Sequence, residues 1–365
     1  MSIDRVDAHA YTIPTDQPEA DGTLSWDSTT MVTVTVSDGD VTGLGWTYAS
    51  PGAAALVRDH LAPVLKGAAA SQIPALAVRM ARACRNLGRP GLVACAISAA
   101  DIALWDLRAR QIGISLVELL GRARDGVPVY GSGGFTTYDA STTERQLANW
   151  VHEWGIPRVK IKIGESWGSR PDRDIERVTL ARRVIGDAAE LYVDANGGYS
   201  VKEARRLGRK MHQEHGVAWF EEPVSSDDLP GLADIRAACD MDIAAGEYGY
   251  TLDYFSNMIG AHAVDCLQAD VTRCGGITVW RQVAALADAH HLQISGHCAP
   301  NLHVHVAASV PNLRHLEYFH DHHRIETEMF DGTLSPKGGD MTPDGSRAGH
   351  GLTARDERLS RFRVA

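Results

Sequence analysis

Polar residues that can move protons or hold a metal recur along the second half of the chain at the ends of short apolar runs. They are the pair Lys160 and Lys162, then Asp194, Glu221, Glu247, Asp270, His297 and Glu317, each 20–32 residues from the next. In Arg158-Val159-Lys160-Ile161-Lys162-Ile163, alternation at period 2 puts both lysines on one strand face and the apolar residues on the other. Two ammonium groups then occupy the side that normally holds core, and they need anionic company. Asp194, Glu221 and Glu247 bring three negative charges to equivalent points of successive repeats, a costly arrangement in a partly dry cavity unless a cation joins them. A hard divalent cation with oxygen ligands resolves that cost. Mg2+ fits best, because it accepts a few carboxylates and keeps positions open for water or substrate, whereas Zn2+ more often recruits His or Cys. A single such carboxylate reads as a helix cap or surface pair; three in order at strand ends do not.

The spacing is that of one strand-plus-helix unit. Apolar runs over 127–130, 159–163, 191–194, 217–221, 243–247, 266–270, 293–297 and 313–317 predict eight parallel strands, the count that closes a (β/α)8 barrel. All the polar residues then fall at the C-terminal mouth, where catalytic side chains from separate strands converge. Ahead of the barrel, β-branched alternation predicts strands over 6–13, 30–36 and 42–48. Between the first two lies a polar stretch over 14–28, with Asp16, Glu19, Asp21 and Trp26, expected to be a loop, either a lid that meets a hydroxylated substrate or a surface excursion. Residues 52–120 read as helical, and Asp101 and Asp106 within them as helix-surface or capping carboxylates. The expected class is α/β: an α+β capping domain over 1–122, a modified (β/α)8-type TIM barrel over 123–323, and a turn-rich segment over 324–365 that returns to the capping domain.

A formal net charge of -10, from 46 acidic and 36 basic residues, excludes a broad nucleic-acid footprint and would be repelled by an acidic membrane surface. Six cysteines without a CxxC pair or dense spacing predict reduced, mostly buried thiols. Without a basic-then-apolar leader or an apolar run of about 18 residues, a cytoplasmic protein is expected. Two further signals are set aside. His303, His305, His315, His320, His322 and His323 show no coherent zinc spacing and read as loop or helix-surface residues. Gly131-Ser132-Gly133-Gly134 lacks the spacing of a dinucleotide loop.

Taken in order, Val159-Lys160-Ile161-Lys162-Ile163, Val193-Asp194-Ala195-Asn196, Trp219-Phe220-Glu221-Glu222-Pro223, Ala245-Gly246-Glu247, Gln268-Ala269-Asp270 with Gly275-Gly276, and Gly296-His297 resemble the enolase superfamily, in particular its mandelate racemase subgroup. Ala103-Leu104-Trp105-Asp106 resembles part of that family's capping domain, and 349–362 its C-terminal close. The resemblance implies Mg2+ held by Asp194, Glu221 and Glu247, and removal of the proton α to a substrate carboxylate through an enediolate. Lys162 is then the base and Lys160 its electrostatic partner, depressing its pKa and facing the substrate carboxylate. His297 stands opposite with Asp270 fixing its ring, and Glu317 donates a hydrogen bond to the intermediate if burial keeps it protonated. Glu222, on the other strand face by alternation, and Asn196 are left as supporting residues, Arg273 as a partner for a carboxylate, and Cys266 and Cys298 as packing. Homo-oligomers are common among such enzymes.

Bases on both faces permit two outcomes. Return of a proton to the same carbon gives a racemase or epimerase; protonation of a leaving 3-hydroxyl gives a 2-keto-3-deoxy acid. The polar, acidic 14–28 stretch favours dehydration of a sugar acid. A non-catalytic barrel that binds a metal and a small acid is the alternative of a different class, disfavoured because a scaffold gains nothing from unpaired buried charge.

Overall fold

Strands β1 (Arg5–Ala20), β2 (Ser25–Asp38) and β3 (Val41–Tyr48) form an antiparallel sheet in that order in the computed structural model, which describes residues 2–365. Alternation sends Ala8, Ala10, Val32, Val34 and Val36 into one buried layer with the helical segments that follow. The helix Leu92–Ile112 lies against β3 at backbone contact: a Cβ on Gly45 would stand 2.2 Å from the Ala99 carbonyl oxygen, so the strand needs glycine where the helix needs alanine.

That helix is buried almost all round, because its far side meets the barrel helix Gly276–Ala289. Asp101 and Asp106 are therefore not surface residues; both are fully buried. Asp101 accepts from Thr278 N (3.0 Å) and Thr278 Oγ1 (2.6 Å), capping the barrel helix from the other domain. Asp106 accepts from Leu44 N, Arg110 Nε and His350 N. The capping half of the expectation stands and the surface half does not.

The stretch over 14–28 is not a loop. β1 and β2 run on as a hairpin, with Glu19 opposite Trp26 and Ala20 opposite Ser25, and only residues 21–24 turn. The ladder is broken by a register shift between Pro14 and Glu19, where Pro18 can sit without donating a strand hydrogen bond. Those prolines and the polar composition hid the strand. The tip docks on the barrel mouth: a Cβ on Gly22 would lie 2.6 Å from the carbonyl oxygens of both Ile163 and Ala195.

Eight parallel strands follow: β4 (Val127–Gly133), β5 (Arg158–Lys162), β6 (Glu190–Asp194), β7 (Val217–Glu221), β8 (Asp242–Ala245), β9 (Cys266–Ala269), β10 (Gln293–Gly296) and β11 (Leu313–Phe319). Pairing of β11 with β4 closes the barrel. Outward residues such as Val159, Ile161, Leu191, Val193 and Phe220 join one core with the surrounding helices. Inside, Tyr130, Tyr192, Trp219, Ala244 and Cys266 form a buried layer, with the His315 ring packed among Tyr130, Tyr192 and Trp219. Tyr192 and Trp219 stand two residues before Asp194 and Glu221, on the same strand face, and so floor the site.

Residue 324, expected to open the C-terminal segment, falls inside the barrel's last helix, His320–Met329. The chain beyond it does return: Val364 N donates to Ala10 O (2.8 Å), Ala10 N to Ala365 O (2.8 Å) and Thr12 N to Phe362 O (2.9 Å), along the free edge of β1. All six cysteines are free thiols. Among the described residues no helix is long and apolar enough to cross a membrane.

Candidate active site

The barrel brings the eight expected residues together at the C-terminal ends of β5 to β11. Lys160 and Lys162 both point inward from β5 and are buried. Lys160 Nζ lies 2.5 Å from Glu221 Oε1, 2.8 Å from Glu317 Oε1 and 3.5 Å from Asp194 Oδ2. Lys162 Nζ lies 2.5 Å from Asp194 Oδ2. Burial works against charge on both lysines. Glu221 and Glu317 nevertheless raise Lys160 well above its ordinary value, and Asp194 raises Lys162 despite Lys160 beside it. Lys160 works in the expected direction on Lys162, lowering it, but Asp194 outweighs it.

Asp194, Glu221 and Glu247 each offer an oxygen within 4.8 Å of the others. Trp219 Nε1 donates to Glu221 Oε2 (3.0 Å) and Asn196 N to Asp194 Oδ1 (2.9 Å), fixing both carboxylates from behind. Burial, only partly offset by Lys160, pushes Glu221 up to about 8. Two buried oxygens beside the trio, Glu222 Oε1 and Asn196 Oδ1, lack a hydrogen-bond donor, and Glu247 Oε2 has only the His297 ring nitrogen near it. Acceptors without donors, in a set made only of oxygens, are the donor set of a hard divalent cation.

On the far side, His297 Nδ1 lies 2.8 Å from Asp270 Oδ2, while Asp270 Oδ1 accepts from Thr272 N and Thr272 Oγ1 (both 2.7 Å). The other ring nitrogen, Nε2, lies 3.1 Å from Glu247 Oε2, 3.3 Å from Cys298 Sγ and 3.6 Å from Glu317 Oε2. Burial opposes charge on the ring, but Cys298, Glu247, Glu317 and the Asp270 bond together raise its pKa well above the ordinary value. Asp270 is held low against its burial by His297 and Arg273. Glu317, expected to donate a hydrogen bond only if burial keeps it protonated, is held low: burial is overcome by Lys160 and His297, and Ser132 Oγ donates to it at 2.6 Å.

Of four neighbours, Arg273 keeps its sequence reading and three depart from theirs. Glu222 does not follow strand alternation, because the chain leaves β7 with Glu222 at φ +38°; burial, then Glu247 and Asp194, raise its pKa well above the ordinary value. Arg273 pairs with carboxylates as expected, Glu247 Oε1 at 3.4 Å and Asp270 Oδ2 at 3.5 Å, and stacks on Tyr248. Cys298 is more than packing, since its thiol meets both His297 and Glu317. Ser132, in the glycine-rich stretch set aside above, was missed; its inward position two residues after Tyr130 was the available signal. The histidines are not surface residues as a group: His303, His305 and His315 are fully buried, and His322 stacks on Tyr48 at 3.5 Å. His303 bridges Val271 N and Cys298 O.

A cleft of about 380 Å3 opens over these residues, lined by Lys162, Glu247, His297 and Glu317 on the barrel side and by Asp21, Trp26, Ser28, Thr29 and Thr30 on the hairpin. The trio lies between a lysine at its Asp194 end and a histidine–aspartate pair at its Glu247 end. An acidic trio able to hold a cation, flanked by a lysine and a histidine–aspartate pair at the mouth of a capped (β/α)8 barrel, defines a protein of the enolase type.

The comparisons agree. The description "Mandelate racemase / muconate lactonizing enzyme, N-terminal domain" matches residues 9–121, and "Enolase C-terminal domain-like" matches residues 142–358. The chain belongs to the mandelate racemase/muconate lactonizing enzyme family of the enolase superfamily. It is similar to a mandelate racemase/muconate lactonizing enzyme-like protein from Rubrobacter xylanophilus, at TM-score 0.96 and 46% identity over 100% of both chains. A 3,6-anhydro-alpha-L-galactonate cycloisomerase from Streptomyces coelicolor is 34% identical over 99% of each chain. An L-talarate dehydratase from Polaromonas sp. JS666, solved with Mg and L-glucarate, matches at TM-score 0.90 and 31% identity over 100% of this chain and 98% of that one.

Proposed function

We propose that the protein is a Mg2+-dependent sugar-acid dehydratase that removes the proton α to a carboxylate and expels the 3-hydroxyl, giving a 2-keto-3-deoxy acid. The observation that carries this reading is the placement of Lys162 and the His297–Asp270 pair at opposite ends of one acidic trio, both opening to the same cleft. Asp194, Glu221 and Glu247 would hold the ion. When bound, Mg2+ supplies positive charge that stabilises the substrate carboxylate as charge develops on it.

Lys162 takes the α-proton on Nζ. Asp194 is the largest influence holding its proton; once Asp194 serves a cation, burial and Lys160 both favour the free amine. Lys160 stays an ammonium facing the enediolate, and Glu317 with Ser132 holds it there. We assign Glu317 to this orienting role rather than to hydrogen-bond donation, because its surroundings keep it ionised. His297, proton-loaded and fixed by Asp270, gives its proton to the departing oxygen as the C3–O bond breaks, and the enol left behind tautomerises to the ketone. The hydroxyl-bearing Ser28, Thr29 and Thr30 on the hairpin wall suit a polyhydroxylated chain.

A second reading rests on the cycloisomerase relative that the chain matches end to end. If the oxygen on C3 belongs to a ring, the same elimination opens the ring and no water leaves. The residues and the steps are otherwise identical. Incubation with Mg2+ and a panel of aldonic, uronic, aldaric and anhydro-sugar acids in D2O tests both readings. Dehydration gives a keto acid that has lost water and gained one deuterium at C3, ring opening gives an isomeric keto acid carrying the same deuterium, and neither product nor α-deuterium with any 2-hydroxy acid would refute the proposal.

A further inference from the structure

We propose that Asp16, Glu19 and His320 form a second divalent-metal site, suited to Zn2+, that ties the β1–β2 hairpin to the barrel beside the catalytic cleft. Each of the three offers a ligand atom within 4.8 Å of the others. Asp16 Oδ2 and His320 Nε2 stand 3.0 Å apart. Glu19 is fully buried, and its two oxygens differ: Oε2 accepts from Trp26 Nε1 at 2.8 Å, whereas no donor among the described residues reaches Oε1. A buried carboxylate oxygen without a partner is unfavourable, and this one belongs to a side chain grouped with a second carboxylate and an imidazole.

The nearby cation does not hydrogen-bond Glu19 Oε1: Arg324 places its NH2 group 2.5 Å from Asp321 Oδ1, and its buried Nε, like Glu19 Oε1, has no partner among the described residues. Asp321 in turn accepts from Thr29. Two carboxylates and one imidazole make a mixed oxygen and nitrogen set, which matches three protein ligands of four-coordinate Zn2+ with water in the fourth position. Mg2+ prefers the all-oxygen set at the barrel mouth. A side cavity of about 1030 Å3, lined in part by Asp16, Gln17, His320 and Arg324, gives an ion a path in from solvent.

The position gives the ion a consequence for the cleft. Asp16 lies within the register shift of β1 and Glu19 closes it, while His320 opens the helix after β11, so the ion joins segments some 300 residues apart in sequence. Glu19 holds Trp26, which packs edge-on against Phe135 with ring centres 5.6 Å apart and lines the cleft. Loading the site fixes one wall of the substrate cavity by holding Glu19.

The test is equilibrium dialysis of the full chain against Zn2+ in excess Mg2+, with bound zinc counted by mass spectrometry. A variant with the barrel-mouth trio disabled, Asp194→Asn with Glu247→Gln, separates the two sites. The expected result is one zinc per chain in the wild type and in that variant. Affinity falls at least tenfold in Glu19→Gln and in the surface variant His320→Gln, and the zinc-dependent rise in thermal midpoint disappears with it. No zinc in the wild type, loss of zinc in the trio variant, or zinc retained in His320→Gln would overturn the site. None of these readouts depends on the proposed reaction.

Discussion

Asp101 gives a stability prediction with a sign and a size. It is fully buried in the helix Leu92–Ile112, and burial pushes its carboxyl up from 3.8 to about 7 although Thr278 donates to it. A group whose folded pKa is raised contributes stability that is complete below its unfolded pKa and is lost as pH rises through the folded value. The window here runs from about pH 4 to pH 7. One pKa unit is about 1.4 kcal/mol, so the shift costs the ionised protein about 4 kcal/mol in full, of which about 2.5 kcal/mol is lost between pH 5 and pH 8. Asn at this position cannot ionise. Asp101→Asn loses one acceptor and starts less stable in acid, but its deficit relative to wild type shrinks steadily as pH rises. Thermal or urea midpoints of both proteins at pH 5, 6.5 and 8 measure that difference, and subtracting the variant removes every other titrating group they share. A difference that does not change with pH would refute the reasoning.

The site and its lid make further predictions. Asp270→Asn removes the acceptor that orients His297; kcat for elimination falls about 100–1000-fold with KM little changed, while α-proton exchange by Lys162 persists in D2O. Gly22→Ala places a methyl group 2.6 Å from two carbonyl oxygens and forces the hairpin tip off the barrel mouth; kcat/KM drops, while the thermal midpoint reports an overpacking cost of about 1–3 kcal/mol. Trp219→Phe deletes the donor to Glu221 Oε2, and Mg2+ affinity, read by calorimetry, weakens about tenfold.

How much of this was legible in the sequence depended on whether a signal was local. Lys160 and Lys162 could be placed because a short, regular strand obeys period 2, and β7 could be bounded to the residue because its apolar run ends on Glu221. Asp194, Glu221 and Glu247 could be grouped because equal repeat spacing maps to equal height in a closed barrel. The reading broke where the backbone left regular geometry. Glu222 follows a strand end into positive φ, so alternation assigned it to the wrong side. The hairpin over 14–28 carries prolines at a register shift, which look like loop in one dimension. Burial of His303, His305 and His315 depends on what packs over them from distant segments, and composition carries no trace of that. The ionisation of Glu317 turns on Lys160 at 2.8 Å, a distance that only the closed barrel sets.

The central claim is that Lys162 and the His297–Asp270 pair act from opposite sides of one substrate, Lys162 on the α-proton and His297 on the oxygen leaving C3, in separable steps. With a substrate from the acid panel and Mg2+ in D2O, α-deuterium incorporation and product formation are followed together in wild type, Lys162→Ala and His297→Asn. The account predicts both in wild type, neither in Lys162→Ala, and exchange without elimination in His297→Asn. Exchange that survives in Lys162→Ala, or elimination that survives in His297→Asn, would contradict it.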